Sequence, residues 1–385
     1  MKFTIDRNTL LKPLGHIYSV VERRNTIPIL SNVLIESNAS QVSFTATDMD
    51  IDIVETVGCI VSRQGKITLS AHTLYDIIRK LPDGAEIQID LVDLNVEVSA
   101  GKSKFILPTL PVDDYPVMTE IQKGSQFSLE AVDLSNLIDN TKFAISSEET
   151  RFYLNGIFLH VPENKKDKLR AVATDGHRLA QAEVPVPEGA ENMPGIILPK
   201  KAVSELRKLI DTTDGLIRIE ISSTKAKFSF PNSTLTTKLI DGSFPDYQRV
   251  IPKENKNKLI ILNSEFSKAI DRVSTVSMEK SRAVKLSLNN NLLLLKVNSH
   301  DLGNASEEMD VKYTSDAIDI GFNSRYLLDI AAQIKGKEIE LSLSDSSSPA
   351  LITDPDQEGV IFVLMPMRVS VSYTHLRAHE TRIHL

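Results

Sequence analysis

One plan occurs three times in this chain of 385 residues, and no other feature limits its fold as strongly. A helical pattern that runs into a turn and then an alternating strand appears at AHTLYDIIRKLPDGAEIQIDL (71–91), PKKAVSELRKLIDTTDGLIRIEI (199–221) and NSRYLLDIAAQIKGKEIELSL (323–343). Each segment spaces its apolar residues for a helix, breaks at Gly84, Gly215 or Gly336, and resumes with period two. Roughly 60 to 70 residues earlier, by the same periodicity rule, each copy opens with a short strand entering another helix: KFTIDRNTLLKPL, QFSLEAVDLSNLI and LIILNSEFSKAI. Between the two helices lies a strand pair, VSFTATDMDIDIVETV (42–57), LRAVATDGHRLAQAEV (169–184) and LLLKVNSHDLGNASEEM (293–309).

The expected architecture is therefore α+β: three similar domains, each with two helices packed on antiparallel sheet. Domain boundaries are expected at 1–121, 122–250 and 251–369, where Pro, Asp and Lys interrupt the apolar pattern. Helices are expected over 7–24, 71–81, 131–145, 199–211, 264–282 and 324–335.

Those helix limits hold 17 Lys and Arg against 10 Asp and Glu, in a chain whose formal net charge is −7. Positive charge is thus concentrated on one repeated element of an acidic protein. Arg7, Lys12, Arg23, Arg24, Arg79, Lys80, Lys200, Lys201, Arg207 and Lys208 contribute most. Ordinary solvated helix faces would look the same one helix at a time. If the helices of all three domains shared a surface, their cations would contact phosphates without reading bases. No helix-turn-helix, zinc finger or aromatic RNA-binding strand accompanies them.

Other classes find less support. No apolar run approaches the roughly 20 residues that span a bilayer, and the N-terminus lacks a secretory h-region, so a cytoplasmic protein is expected. The one cysteine, Cys59, sits in the strand-like run IDIVETVGCIV and is expected to be buried and inert. GKS (101–103) has Val96 where a P-loop needs glycine, and a strand-to-strand turn fits it better. TDMDID (47–52) alternates carboxylates like a strand with one wet face, with metal binding as the lesser alternative. In ATDGHRLA (173–180), Asp175, His177 and Arg178 crowd together as a hydrolase site would. No nucleophile stands beside the histidine, and the other copies fill the same place with scaffold. The tail SVSYTHLRAHETRIHL (370–385) lies outside all three copies and looks non-native; His375 and His379 are spaced like half a zinc site without a second pair of ligands.

The segments KFTIDRNTLLKPL, TIPILSNVLIE, YLNGI, VATDGHRLA, KLIDGSFPDYQRVIPK, IGFNSRYLLD and VLMPMRV, in this order from Met1 to about Val369, resemble the bacterial sliding clamp family, the beta subunit of DNA polymerase III. The resemblance implies a head-to-tail dimer ring whose helices line a hole around duplex DNA, a processivity factor with no catalysis and no cofactor. Arg24, Arg79, Lys80, Lys200 and Lys201 match DNA-facing positions. Partner peptides, from the polymerase III catalytic subunit, clamp loader, other polymerases, mismatch-repair and ligase proteins, would enter a hydrophobic pocket between the second and third domains. Matched by motif, it comprises Leu154, Thr174, Gly176, His177, Arg178, Leu179, Pro245, Arg249, Val250, Asn323, Tyr326, Val363, Met365, Pro366, Met367 and Arg368. Apolar walls and polarizable methionines suit varied apolar side chains, while Arg and Asn would fix a peptide backbone. Composition alone also allows VLMPMRV to be a buried last strand. Ser281 replaces an aromatic residue common in the family, and Pro349 borders the same pocket. Phe105 and Val276 match contacts across the dimer. A three-domain scaffold without DNA binding, and a hydrolase using Asp175 and His177, are the alternatives.

Overall fold

The computed structural model describes residues 1–23, 26–116, 118–121, 124–278, 282–299 and 301–368. Two compact units divide the chain after Pro245.

The repeat has a direct structural counterpart. In each copy the strand entering the first helix pairs antiparallel with the strand leaving the second: Lys2–Asp6 with Glu86–Val92, Ser125–Glu130 with Leu216–Ile221, and Asn257–Leu262 with Glu338–Leu343. The helices are α1 (Arg7–Val20), α2 (Ala71–Lys80), α3 (Ala131–Asp139), α4 (Lys200–Ile210), α5 (Asn263–Ser274) and α6 (Ser324–Ala331). Each buries an apolar stripe at three- and four-residue spacing, as α1 does with Leu10, Pro13, Leu14, Ile17 and Val20.

Several helices stop short of their expected ends, and local side-chain chemistry explains it. After α3, Asn140 Nδ2 donates to the Asn136 carbonyl at 2.8 Å and Thr141 Oγ1 to that of Leu137 at 2.6 Å, so side chains take over the last helical acceptors. Past α5, Thr275 Oγ1 does the same to Asp271 at 3.3 Å. In α1 the β-branched pair Val20–Val21 ends the helix, with Val21 extended at φ −75° and ψ 123°. The turn glycines differ in purpose: Gly84 and Gly215 need positive φ, 70° and 92°, whereas Gly336 has no room for a Cβ, which would lie 2.4 Å from Asp354 Oδ1.

In the first unit, copies one and two share an eight-stranded sheet, joined where Ile51–Gly58 pairs with Ser233–Lys238. A five-stranded sheet ends at the edge strand Ser103–Pro108, and a further antiparallel run orders Ile196–Pro199, Gly156–His160, Lys168–Thr174 and Arg178–Pro185. The second unit holds Val360–Leu364, Ala350–Thr353, Glu338–Leu343 and Asn257–Leu262 in one run. Its other sheet ends at the edge strand Gly303–Asp310.

Two local expectations need correction. Cys59 is half-buried between strands rather than inside one, and burial raises its thiol above the usual range. TDMDID is not one continuous strand: it turns at Asp48–Asp50, and only Ile51 and Asp52 belong to the strand that follows. Among the described residues no cluster of three or more His, Cys, Asp and Glu could hold a metal ion. GKS lies at the tight turn between Asn95–Ala100 and Ser103–Pro108, with Gly101 at φ 55°.

Candidate nucleic-acid and peptide interfaces

ATDGHRLA forms a hairpin turn, with Thr174 facing Leu179 across the ladder. Thr174 Oγ1 accepts the Gly176 N–H at 3.1 Å and donates to the Arg178 carbonyl at 2.7 Å. Asp175 Oδ1 accepts the N–H groups of His177 and Arg178 at 2.9 and 3.0 Å, and Oδ2 receives Arg178 Nε at 3.0 Å. This carboxylate builds the turn. The first copy uses the same device: Thr47 Oγ1 accepts Met49 N–H at 3.0 Å, and Asp48 Oδ1 accepts Asp50 and Ile51 N–H at 2.9 and 2.8 Å. Met49 even adopts the positive φ, 79°, that Gly176 has at 89°. The catalytic look of the motif is inherited turn chemistry.

Around this turn the first unit assembles a wall. His177 and Gly176 are exposed, and a Cβ on Gly176 would lie 2.9 Å from Arg151 Nη1. Arg178 reaches the Phe143 carbonyl at 2.7 Å and stands over the Phe143 ring at 5.1 Å. Gly242 comes as close to Tyr153, where a Cβ would meet its Cβ at 3.1 Å. Pro245 is exposed nearby in sequence. Leu154 and Leu179, expected to present apolar surface, are 4% and 2% exposed and lie in the core. Arg151 and Tyr153 sit in one short 3-10 turn, and Phe143 in another that replaces the end of the helix expected over 131–145, so no helical face announces the three together.

In the second unit, Met367 N–H donates to the Gly321 carbonyl at 2.7 Å. That bridge brings Met365, Pro366 and Met367 beside the strand that ends at Asn323. All three are half-buried, as is Tyr326, whereas Arg368 is exposed. Asn323 Oδ1 caps α6, accepting Arg325 and Tyr326 N–H at 3.0 and 3.4 Å, so its oxygen already serves the helix. Val363 is 1% exposed, inside the strand Val360–Leu364, which makes that half of VLMPMRV core. Arg249 is exposed and pairs with Asp246 at 2.8 Å, and Val250 follows it at the surface. Pro349 is half-buried and its carbonyl accepts from Asn255 at 2.9 Å. Ser281, the tail 370–385 and Arg24 lie outside the described residues.

The helix charges are less uniform than the longer expected helices suggested. Arg7 and Lys12 are unopposed within α1, and α4 sets Lys200, Lys201, Arg207 and Lys208 against Glu205. Asp133 and Asp139 make α3 acidic, and α5 and α6 are balanced. Arg79 and Lys80 are exposed on the last turn of α2. Lys200 is exposed, with Nζ 2.8 Å from Ser147 Oγ. Lys201 is different: its Nζ donates to Asp48, to the Val20 carbonyl at 3.1 Å and to Glu22 at 3.5 Å. Burial disfavours its charge, but Asp48 and Glu22 outweigh that and hold the ammonium above the ordinary lysine range. It pins copy one to copy two.

Phe105 is half-buried on the edge strand Ser103–Pro108, beside Ile106 at 65% exposure. Val276 is half-buried just beyond α5, where Arg272 Nε reaches Glu307 on the other edge strand at 3.0 Å.

Sequence profiles of the N-terminal, central and C-terminal domains of the DNA polymerase III beta subunit match residues 1–119, 128–246 and 248–368. A beta sliding clamp of Caulobacter vibrioides is 49% identical over 372 residues, spanning 96% of this chain and all of its own length. The fold superposes on a DNA polymerase III beta-subunit clamp from Bartonella birtlesii bound to griselimycin, with TM-score 0.93 and 49% identity over 96% of this chain and all of that one. A Pseudomonas aeruginosa clamp, also bound to griselimycin, gives 0.91 and 38% over the same shares. The chain belongs to the family of DNA polymerase III beta subunits, the sliding clamps.

Proposed function

We propose that this sliding clamp encircles duplex DNA as a closed head-to-tail dimer and tethers the replicative polymerase by raising its effective concentration at the template, without catalysis of its own. The observation that carries the reading is the threefold recurrence of one strand-and-helix-pair unit. Three clamp domains over 1–121, 122–250 and 251–369 follow from it.

Sequence-independent contacts to phosphates would come from Arg79, Lys80, Lys200 and Arg24, with Lys201 as the buttress that holds α4 in place. The two open sheet edges support the ring. Lys102 and Lys104 border one edge, and Glu307, Glu308 and Asp310 lie on the other, a complementary pair for strand addition between copies, flanked by Phe105 and Val276.

Peptides from the polymerase III catalytic subunit, the clamp loader and other polymerase, mismatch-repair and ligase proteins would dock on Thr174–Leu179 and Pro245 of the first unit. Arg249, Val250, Asn323, Tyr326 and Met365–Arg368 of the second complete the set. The griselimycin-bound relatives support such a site. Size-exclusion with light scattering tests the ring: a dimer of 42.7 kDa chains is the expected result, and Ile106→Asp should release monomers. A wild-type monomer at micromolar concentration would contradict it.

A further inference from the structure

Where α1 meets α2, the rings of Tyr18 and Tyr75 lie 4.7 Å apart. His72 abuts Tyr18 edge-on at 4.4 Å, with its Nε2 2.9 Å from the Val21 carbonyl. An arginine stands over each tyrosine: Arg23 Cζ is 5.7 Å from the Tyr18 centroid and Arg79 Cζ 5.6 Å from that of Tyr75. Arg23 Nη2 also donates to the Tyr18 hydroxyl, and Arg79 Nη2 to Asp76 at 3.2 Å. The rings are half-buried and both guanidinium groups are exposed. By contrast, α3 and α4 contain no aromatic residue, so the second copy's helix pair has no such ladder.

An exposed arginine ordinarily loses rotamer freedom when it settles on a phosphate. A guanidinium held over an aromatic face by cation–π attraction has already lost much of it. Each guanidinium has five N–H donors, and the contacts above take one apiece, which leaves the planar fork able to meet a phosphate in two-point fashion. Base stacking is disfavoured, because a guanidinium covers each tyrosine and a duplex presents base edges rather than faces.

We propose that Tyr18 and Tyr75 are positioning residues for DNA, which hold Arg23 and Arg79 as a preset pair of phosphate contacts on the α1–α2 surface. Arg23 thereby joins the DNA-contacting set. The inference rests on the reading that the chain encircles duplex DNA.

Fluorescence anisotropy of a labelled 30-base-pair duplex with the full chain at low salt provides the test, with thermal unfolding as the fold control. Tyr18→Leu and Tyr75→Leu should each weaken binding roughly two- to fivefold, the size of an exposed cation–π interaction. Tyr75→Phe keeps the ring and should restore wild-type affinity, and Tyr18→Phe should restore part of it. Because each tyrosine acts through its arginine, Tyr18→Leu/Arg23→Ala should bind no more weakly than Arg23→Ala alone, and likewise Tyr75→Leu/Arg79→Ala against Arg79→Ala. Arg23→Lys, which keeps both charge and fold, should lose most of what Arg23→Ala loses. Additive double variants, or wild-type binding by Arg23→Lys, would overturn the positioning role while the clamp reading stood. Absence of any salt-sensitive DNA association by the wild-type chain would overturn the phosphate contacts and with them this proposal, whereas encirclement itself is read from retention on circular against linear DNA.

Discussion

Asp175 Oδ1 accepts the backbone N–H of His177 at 2.9 Å, so the carboxylate that a catalytic histidine would need is spent on holding a turn. Asp175→Ala should cost about 1–3 kcal/mol of stability, because two backbone N–H groups and Arg178 lose their acceptor. Asp175→Asn, which keeps the oxygen, should cost less. His177→Ala, at an exposed position, should change stability by under about 0.5 kcal/mol while weakening peptide binding at the proposed site several-fold. Thermal unfolding and titration calorimetry check the pair.

Gly176 combines φ 89° with an Arg151 nitrogen 2.9 Å from where a Cβ would stand. Gly176→Ala should lose about 1 kcal/mol or more to backbone strain and displace Arg151, lowering peptide affinity at the proposed site beyond what the stability loss explains. A structure of the variant with Arg151 unmoved would contradict this.

Lys200 and Lys201 are neighbours with different surroundings. Lys200→Ala should flatten the dependence of DNA affinity on salt by roughly one phosphate contact and leave the melting temperature unchanged. Lys201→Ala should instead destabilise the first unit, by about 0.5–1 kcal/mol for a partly exposed pair, through loss of its bonds to Asp48 and the Val20 carbonyl. Salt-titrated anisotropy and calorimetric melting distinguish the two.

His160 stacks on Phe158, which stacks in turn on Phe244. Burial, then the nearby Arg170 charge, pushes its pKa from 6.5 down to about 4. Between these values the unfolded chain binds a proton that the folded chain does not. Stability from this group is therefore complete above pH 6.5 and is lost as pH falls towards 4, by up to about 3 kcal/mol. His160→Phe keeps a ring in the stack and should flatten that part of the stability–pH curve, measured by denaturant unfolding from pH 7 to pH 4.

The repeat, the helix stripes and the α+β class were legible because each follows from local periodicity, which tertiary packing reinforced rather than overrode. Helix ends were less legible: Asn140 and Thr141 continue the pattern in one dimension, yet their side chains bond back and stop α3. The candidate site was legible as motifs but not as geometry. Nothing local announces that Lys201 will meet Asp48, 153 positions away, or that Arg151 will lie under Gly176. Leu154, Leu179 and Val363 are core residues, Leu154 at the end of a 3-10 turn and the other two in strands that are buried along most of their length.

A closed ring is held on DNA by topology rather than by affinity, and retention on circular against linear DNA reads that property. Clamp loaded onto nicked circular DNA by a clamp loader should stay bound through gel filtration at moderate salt and fall off once the circle is cut to a linear form, because a closed ring leaves only over an end. Equal loss from circular and linear DNA would contradict encirclement.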